Sequence, residues 1–405
     1  MPAPVAFAET VHAAPTLKAV KAPRIESIDL LRGAVMILMA LDHVRDYFHW
    51  SAYQYDPTDL THTTVPIFLT RWITHICAPV FMLLAGVSAH LYGLKKGKAA
   101  LSRFLFTRGL WLVFAEMFIV TLEWTFNPLY SILILQVIWA FGISMIVMAA
   151  LVRLPLRFVL AAGIILVAGH NVLDGIHVPG TRPSAMFWAF LHDQRFFPHV
   201  AFGYPIIPWI GIMALGYALG YWYGPGYDPV RRRRNLLYMG IAALTAFVLL
   251  RWTNVYGDPH PWSVQKNAVF TVLSFINVTK YPPSLLYVLV MLGPALIFLA
   301  VSERPVGAFG QKILVFGRVP MFYYLVHIFV VHGLAILGAM IAGYPWNDMT
   351  MINTWVTNNA SLHGYGFNLV TVYVIWIAVV VGLYPLCRWY DSYKRSHQAW
   401  WLSYL

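Results

Sequence analysis

The sequence predicts an all-α polytopic membrane protein of about ten transmembrane helices, with the N-terminus and the C-terminus both cytoplasmic. Three observations lead there. Of its 405 residues 60% are hydrophobic and only 11% are charged, where a soluble domain carries about 25% charged residues; the mean hydropathy is +0.65. Apolar runs of roughly 17–25 residues, long enough for a bilayer, recur from end to end. Basic residues collect in every second gap between those runs.

The chain opens with residues 1–23, rich in Ala, Pro and Val. They lack the charged start and compact apolar centre of a signal peptide, so a disordered cytoplasmic tail is expected. The predicted spans lie near 28–48, 70–92, 108–124, 130–151, 155–170, 203–223, 235–252, 283–302, 319–342 and 367–387. They form one transmembrane domain, 24–390, followed by a second cytoplasmic tail, 391–405. With the N-terminus inside, 20 of the 28 Lys and Arg residues fall on the inner side. The largest inner groups are Lys95 to Arg108 and Arg231 to Arg234. This punctuation excludes a nucleic-acid surface, which needs one continuous basic patch. Histidines show the opposite bias and gather with Trp and Tyr on the outer side. That pattern reads either as an interfacial aromatic belt or as a polar site facing outward.

The densest ionisable cluster is Asp42-His43-Val44-Arg45-Asp46 at the outer end of the first span. Charge so close to hydrocarbon faces a cavity or a partner, unless it snorkels to headgroups. His43 and Asp46 share a helix face, so Asp46 is expected to hold the imidazole in one tautomer. Asp42 is expected to pair with Arg45. Arg32 lies eleven residues before His43, close to three turns, which sets the two on one stripe about 16 Å apart. Asp29 and Met36 lie on the same stripe. A thioester donor with a phosphate-bearing head and a long arm suits that spacing, with Arg32 at the anionic groups and His43 at the reacting carbonyl. An Arg32–Asp29 pair is the plainer alternative.

In the second span Arg71 and His75 are four apart and share a face. Pro79 frees a carbonyl and can kink the helix. Ala85, Gly86, Ser88 and Ala89 permit a close helix approach. His75 is a second acid–base candidate or an interhelical hydrogen bonder. Glu116 and Glu123 in the third span read as functional or as paired structural carboxylates. His327 projects about two turns into a helix that begins around Gly317 and Pro320. No P-loop, dinucleotide-binding glycine pattern, His-Glu-x-x-His motif or nucleophile elbow is present, and no metal is expected.

The run Arg24-Ile25-Glu26-Ser27-Ile28-Asp29-Leu30-Leu31-Arg32-Gly33, followed by Met39 to His43, resembles the opening of membrane acyltransferases. Thr70 to Gly86, Tyr204 to Gly211, Lys280 to Leu285 and Phe316 to His327 extend the likeness. Together they resemble the heparan-α-glucosaminide N-acetyltransferase-like family in its compact bacterial form. The resemblance implies an acetyl group taken from cytosolic acetyl-CoA and passed to a sugar or amino-sugar acceptor at the outer face. It also implies a catalytic histidine between the first two spans, for which His43, His49, His62 and His75 compete.

The expected activity is therefore acetyl-CoA-dependent N- or O-acetyl transfer in a bacterial inner membrane. His43, Asp46 and His75 are the catalytic candidates. Arg32, Arg71 and Arg318 are candidates for holding acetyl-CoA, and Asp42, Arg45 and His327 for the acceptor. Partners would be acetyl-CoA, a glycan, membrane lipid and, in a homo-oligomer, a second copy. The alternative is a proton-coupled transporter of a small polar solute, relayed by the same intramembrane His, Asp, Glu and Arg residues.

Overall fold

The computed structural model describes residues 25–351, 359–397 and 399–403. The tail predicted over 1–23 lies outside them. Fifteen α-helices occur among the described residues: α1 (Glu26–Phe48), α2 (Val65–Thr74), α3 (Cys77–Lys96), α4 (Lys98–Ala115), α5 (Thr121–Thr125), α6 (Val137–Leu151), α7 (Leu156–Ala168), α8 (Pro183–Leu191), α9 (Ile207–Leu219), α10 (Pro229–Thr253), α11 (Ala268–Ile276), α12 (Leu285–Val301), α13 (Ala308–Arg318), α14 (Pro320–Ile341) and α15 (Leu369–Ser396). A π-helical turn, Glu116–Val120, joins α4 to α5.

Every predicted span contains a helix. Among the described residues six helical stretches are long and apolar enough to cross a membrane: Val65–Lys96, Lys98–Thr125, Leu156–Leu173, Pro229–Thr253, Pro320–Ile341 and Leu369–Ser396. The protein is thus an integral membrane protein. The 23-residue α1 has the length, and its charged residues keep it out of that set. At 15, 13 and 17 residues, α6, α9 and α12 are shorter than the roughly 20 residues of a usual span.

Non-helical chain precedes each of these helices, and a 3₁₀ turn, Gly220–Tyr223, follows α9. The stretch predicted as helix over 130–136 holds strand β1 (Leu133–Leu135), and β2 (Arg195–Phe196) and β3 (Val200–Phe202) precede α9. β1 pairs in parallel with β3, Ile134 opposite Ala201, and β2 pairs antiparallel with β3, Phe196 opposite Ala201. Apolar patterning alone does not separate a short buried strand from the start of a helix. Lys280 to Pro283, with a cis Tyr281–Pro282 bond, leads into α12.

Helix α1 packs on α3, α13, α14 and α15 and buries most of its length. Two close crossings fix this arrangement. A Cβ on Gly317 would stand 1.9 Å from the Asp29 carbonyl, and one on Gly33 would stand 2.1 Å from the Ile313 carbonyl. The expected small-residue face of the second span is real at Gly86. A Cβ there would fall 2.1 Å from the Met213 carbonyl, and one on the facing Gly216 would fall 2.0 Å from that of Leu83. Hydrogen at these positions lets the backbones approach where any side chain would separate them.

The break expected at Pro79 falls one turn earlier, at His75 and Ile76, between α2 and α3. Pro79 has no N–H for the His75 carbonyl. Tyr287 Oη donates to that carbonyl instead, at 2.6 Å.

Gly216→Val should therefore overpack the α3–α9 crossing and cost about 1–3 kcal/mol or more. Gly382→Val in α15, where an added Cβ meets nothing within 4 Å, should be close to neutral. Thermal unfolding of the two variants in one detergent checks the contrast.

Candidate functional site

The stripe Arg32, Met36, Met39 and His43 on α1 forms one wall of a cavity of about 400 Å³. Its spacing of four, three and four residues keeps all four on one helix face. At the Arg32 end the cavity is lined by Ser88, Tyr92, Phe104 and Arg108. Tyr92 and Phe104 stack at 4.6 Å, and the Arg108 guanidinium lies 5.9 Å from the Phe104 ring centre. Phe81, Leu112, Phe141 and Met145 line the apolar middle. At the far end stand Asp42, His43, Gln136, Tyr204, Lys280 and Tyr324.

A second cavity, of about 350 Å³, adjoins the first and shares Gln136 and Tyr204 with it. Asp46, Trp124, Gln194, Phe196 and Tyr281 line the remainder. Two compartments of different chemistry thus meet at a common wall. One is long, with cationic and aromatic groups at its end. The other is compact, with aromatic faces among hydrogen-bonding groups.

His43 lines the first cavity near that wall, and its neighbour Trp124 lines the second. Its Nδ1 is 2.8 Å from His327 Nε2, the two rings stack at 5.0 Å, and Trp124 presses edge-on at 4.9 Å. His327 Nδ1 lies 2.8 Å from the Tyr323 carbonyl, which only accepts, so this nitrogen carries the proton. In a neutral ring His327 Nε2 is then an acceptor, and His43 Nδ1–H must donate to it. The Nε2 lone pair of His43 remains as the basic atom of the pair. The expectation that Asp46 orients His43 is thereby corrected. Asp46 Oδ1 instead accepts from Arg45 Nη2 at 2.6 Å.

The charged cluster of α1 is one ion network. Asp42 accepts from Arg45 at 3.1 Å and, through its other oxygen, from Arg71 of α2. The Asp42–Arg45 pairing read from the sequence is present. Arg45 is buried, and Asp46 keeps 34% of its side-chain surface exposed. Arg71 is committed to Asp42 and does not line the cavity. Arg32 bonds Asp29 at 2.9 Å, the Gly317 carbonyl at 3.2 Å and Ser88 Oγ at 3.1 Å, and lines the cavity as well. The Arg32–Asp29 pair read from the sequence is therefore present, on a side chain that also lines the cavity.

The other histidines of this region point elsewhere. His49 bonds Ser51 at the one-turn helix after α1. His62 lies on an exposed loop, paired with Asp59 at 2.8 Å. That hydrogen bond and those from Thr61 pull the Asp59 carboxyl down to about 2. His75 is buried at the α2–α3 break against Tyr287, with Nδ1 unbonded, and does not line the cavity. Arg318 lies 3.7 Å from Asp391 and is also absent from the lining.

Sequence reasoning missed Gln136 and Lys280 as site residues. Glu116 positions the first: its two carboxylate oxygens each accept at 2.9 Å, from the N–H groups of Gln136 and Trp139 at the start of α6. The structural reading of Glu116 is therefore the observed one. Asp258 positions the second, accepting from Thr279 N at 2.8 Å and Ser284 Oγ at 2.7 Å on either side of Lys280. The Lys280 to Leu285 run, part of the family likeness, was the one available signal for Lys280.

Asp42→Asn removes the charge shared by two buried or half-buried guanidiniums and should cost about 3–5 kcal/mol. Asp46→Asn, at the more exposed end of the network, should cost less. Unfolding temperatures in detergent check the order.

Comparison with known families adds an independent result. The model of the heparan-alpha-glucosaminide N-acetyltransferase catalytic family matches residues 24–254, more than half of the chain. No curated protein matches the chain. The matched segment contains α1 to α10 and, with them, Arg32, His43, Gln136 and Tyr204. This integral membrane protein accordingly belongs to the heparan-alpha-glucosaminide N-acetyltransferase catalytic family, a family of membrane acetyltransferases.

Proposed function

We propose that this protein transfers acetyl from acetyl-CoA to an amino sugar or related glycan acceptor across the shared wall of the two cavities. The observation that carries the reading is the shared wall itself: His43 lines the donor-shaped compartment and packs edge-on against Trp124, which lines the acceptor-shaped one. Arg32 and Arg108 suit the phosphates of CoA, the stacked Tyr92–Phe104 pair suits its adenine, and the apolar middle suits its arm. The thioester then reaches Lys280 and His43. On the other side, Gln136, Gln194, Asp46 and Tyr281, with the Trp124 face, suit a sugar.

In the transfer step the acceptor nitrogen attacks the thioester carbonyl while His43 Nε2 takes its proton. The carbon–sulfur bond breaks, and the proton passes from His43 to the departing sulfur, leaving free CoA and the acetylated acceptor. His327 holds the His43 ring through its Nδ1–H. The Lys280 ammonium is placed to offset charge developing on the carbonyl oxygen. Arg71 and Arg45 act by holding Asp42, not by touching CoA. With ten spans and both termini cytoplasmic, the Arg32 end opens to the cytosol and the second cavity opens outward. That orientation suits a bacterial inner membrane. Family membership favours this reading over solute transport, and the glucosamine chemistry of the family favours N- over O-acetylation.

Purified protein given labelled acetyl-CoA and a panel of amino sugars and neutral sugars tests the proposal. His43→Ala should lower kcat about 10²–10⁴-fold with acetyl-CoA binding retained. Arg32→Ala should weaken acetyl-CoA binding about ten- to hundredfold. Failure of well-folded wild type to bind any acyl-CoA would overturn the reading.

A further inference from the structure

Away from these cavities, three potential metal ligands converge. His170 belongs to a one-turn helix, His170–Leu173, that follows α7, and Asp174 comes directly after it. His192 caps the C-terminal end of α8. His170 Nδ1 is 3.1 Å from His192 Nε2, which is 3.6 Å from Asp174 Oδ1. One ligand atom from each residue lies within 4.8 Å of the others. Ligands of a tetrahedral zinc ion, each at about 2.0–2.1 Å from it, stand about 3.3 Å apart.

Hydrogen bonding accounts for only part of the convergence. His192 Nε2 faces both His170 Nδ1 and, at 3.0 Å, the His170 carbonyl, with one proton for the two, and Asp174 Oδ1 stands beyond hydrogen-bond range of His192. Both imidazoles are buried.

The surrounding contacts aim the carboxylate. Asp174 Oδ2 accepts from Asn171 Nδ2 at 2.8 Å, and Asn171 Oδ1 accepts from Leu285 N at 2.9 Å. One oxygen is thus occupied by a fixed neighbour and the other is turned to the histidines, as when a hydrogen bond to one carboxylate oxygen orients the other toward a metal.

We propose that His170, Asp174 and His192 bind a divalent transition-metal ion of the zinc class. The three residues are absent from the linings of both cavities, so the site is separate from acetyl transfer and does not depend on that reading. The ion joins the end of α7 to the end of α8 and, through Asn171, to the first residue of α12. Gln194, two residues beyond His192, lines the second cavity. The metal thereby clamps the segment that forms part of that cavity's wall. The expectation of no metal rested on local motifs, and these ligands are 22 positions apart in the chain.

The test uses full-length protein with any affinity tag removed, stripped of metal and titrated with zinc and with cobalt. About one equivalent should bind, cobalt should give the intense visible bands of a tetrahedral site, and zinc should raise the unfolding temperature. His192→Ala should abolish all three, and Asn171→Ala should weaken binding about 10–100-fold. Folded wild type that binds neither ion saturably, or binds them as His192→Ala does, would overturn the proposal. If His192→Ala does not fold, cobalt bands absent from wild type would overturn it equally.

Discussion

Backbone N–H and C=O groups that leave a helix away from water must find partners, and the site is built around that constraint. Three helices are short, and non-helical chain leads into each. The three-stranded sheet serves the segments before α6 and α9. Asp258 and Ser284 serve the segment before α12, and Glu116 receives two N–H groups at the start of α6. Each solution places a side chain at a junction, and those side chains are Gln136, Tyr204 and Lys280. The long charged face of α1 supplies the opposite wall.

Much of this was legible in the sequence because it is local. Apolar runs found every major helix, and a spacing of eleven residues found the stripe from Arg32 to His43. Small residues in the second span foretold the close approach at Gly86. What stayed hidden is set by distant pairing. The His43–His327 contact joins positions 284 apart, so no periodicity within α1 could reveal it, and Asp46, the near neighbour, was the natural wrong choice. The β1–β3 pairing likewise joins segments whose apolar runs read as helix ends. Arg71 and Arg318 carry the charge expected of CoA ligands, and carboxylates from other helices occupy them first.

The choice of orienting group matters for the chemistry. A carboxylate beside His43 would fix the ring and also stabilise its protonated form. His327 fixes the ring without bringing a negative charge. The nearest carboxylate, Asp42, is already divided between two guanidiniums. In the proposed reaction, that environment would suit a base that takes a proton and gives it up again better than one that retains it.

The wall shared by the two cavities has a further meaning in a membrane. Any passage that joins the two faces of a bilayer threatens its electrical insulation. Gln136 and Tyr204 belong to both compartments, so the separation between them is only about one side chain thick. On the proposed function, the acetyl group would pass this point while protons and water are held back, so that the membrane stays sealed and the energy stored across it is preserved during every turnover.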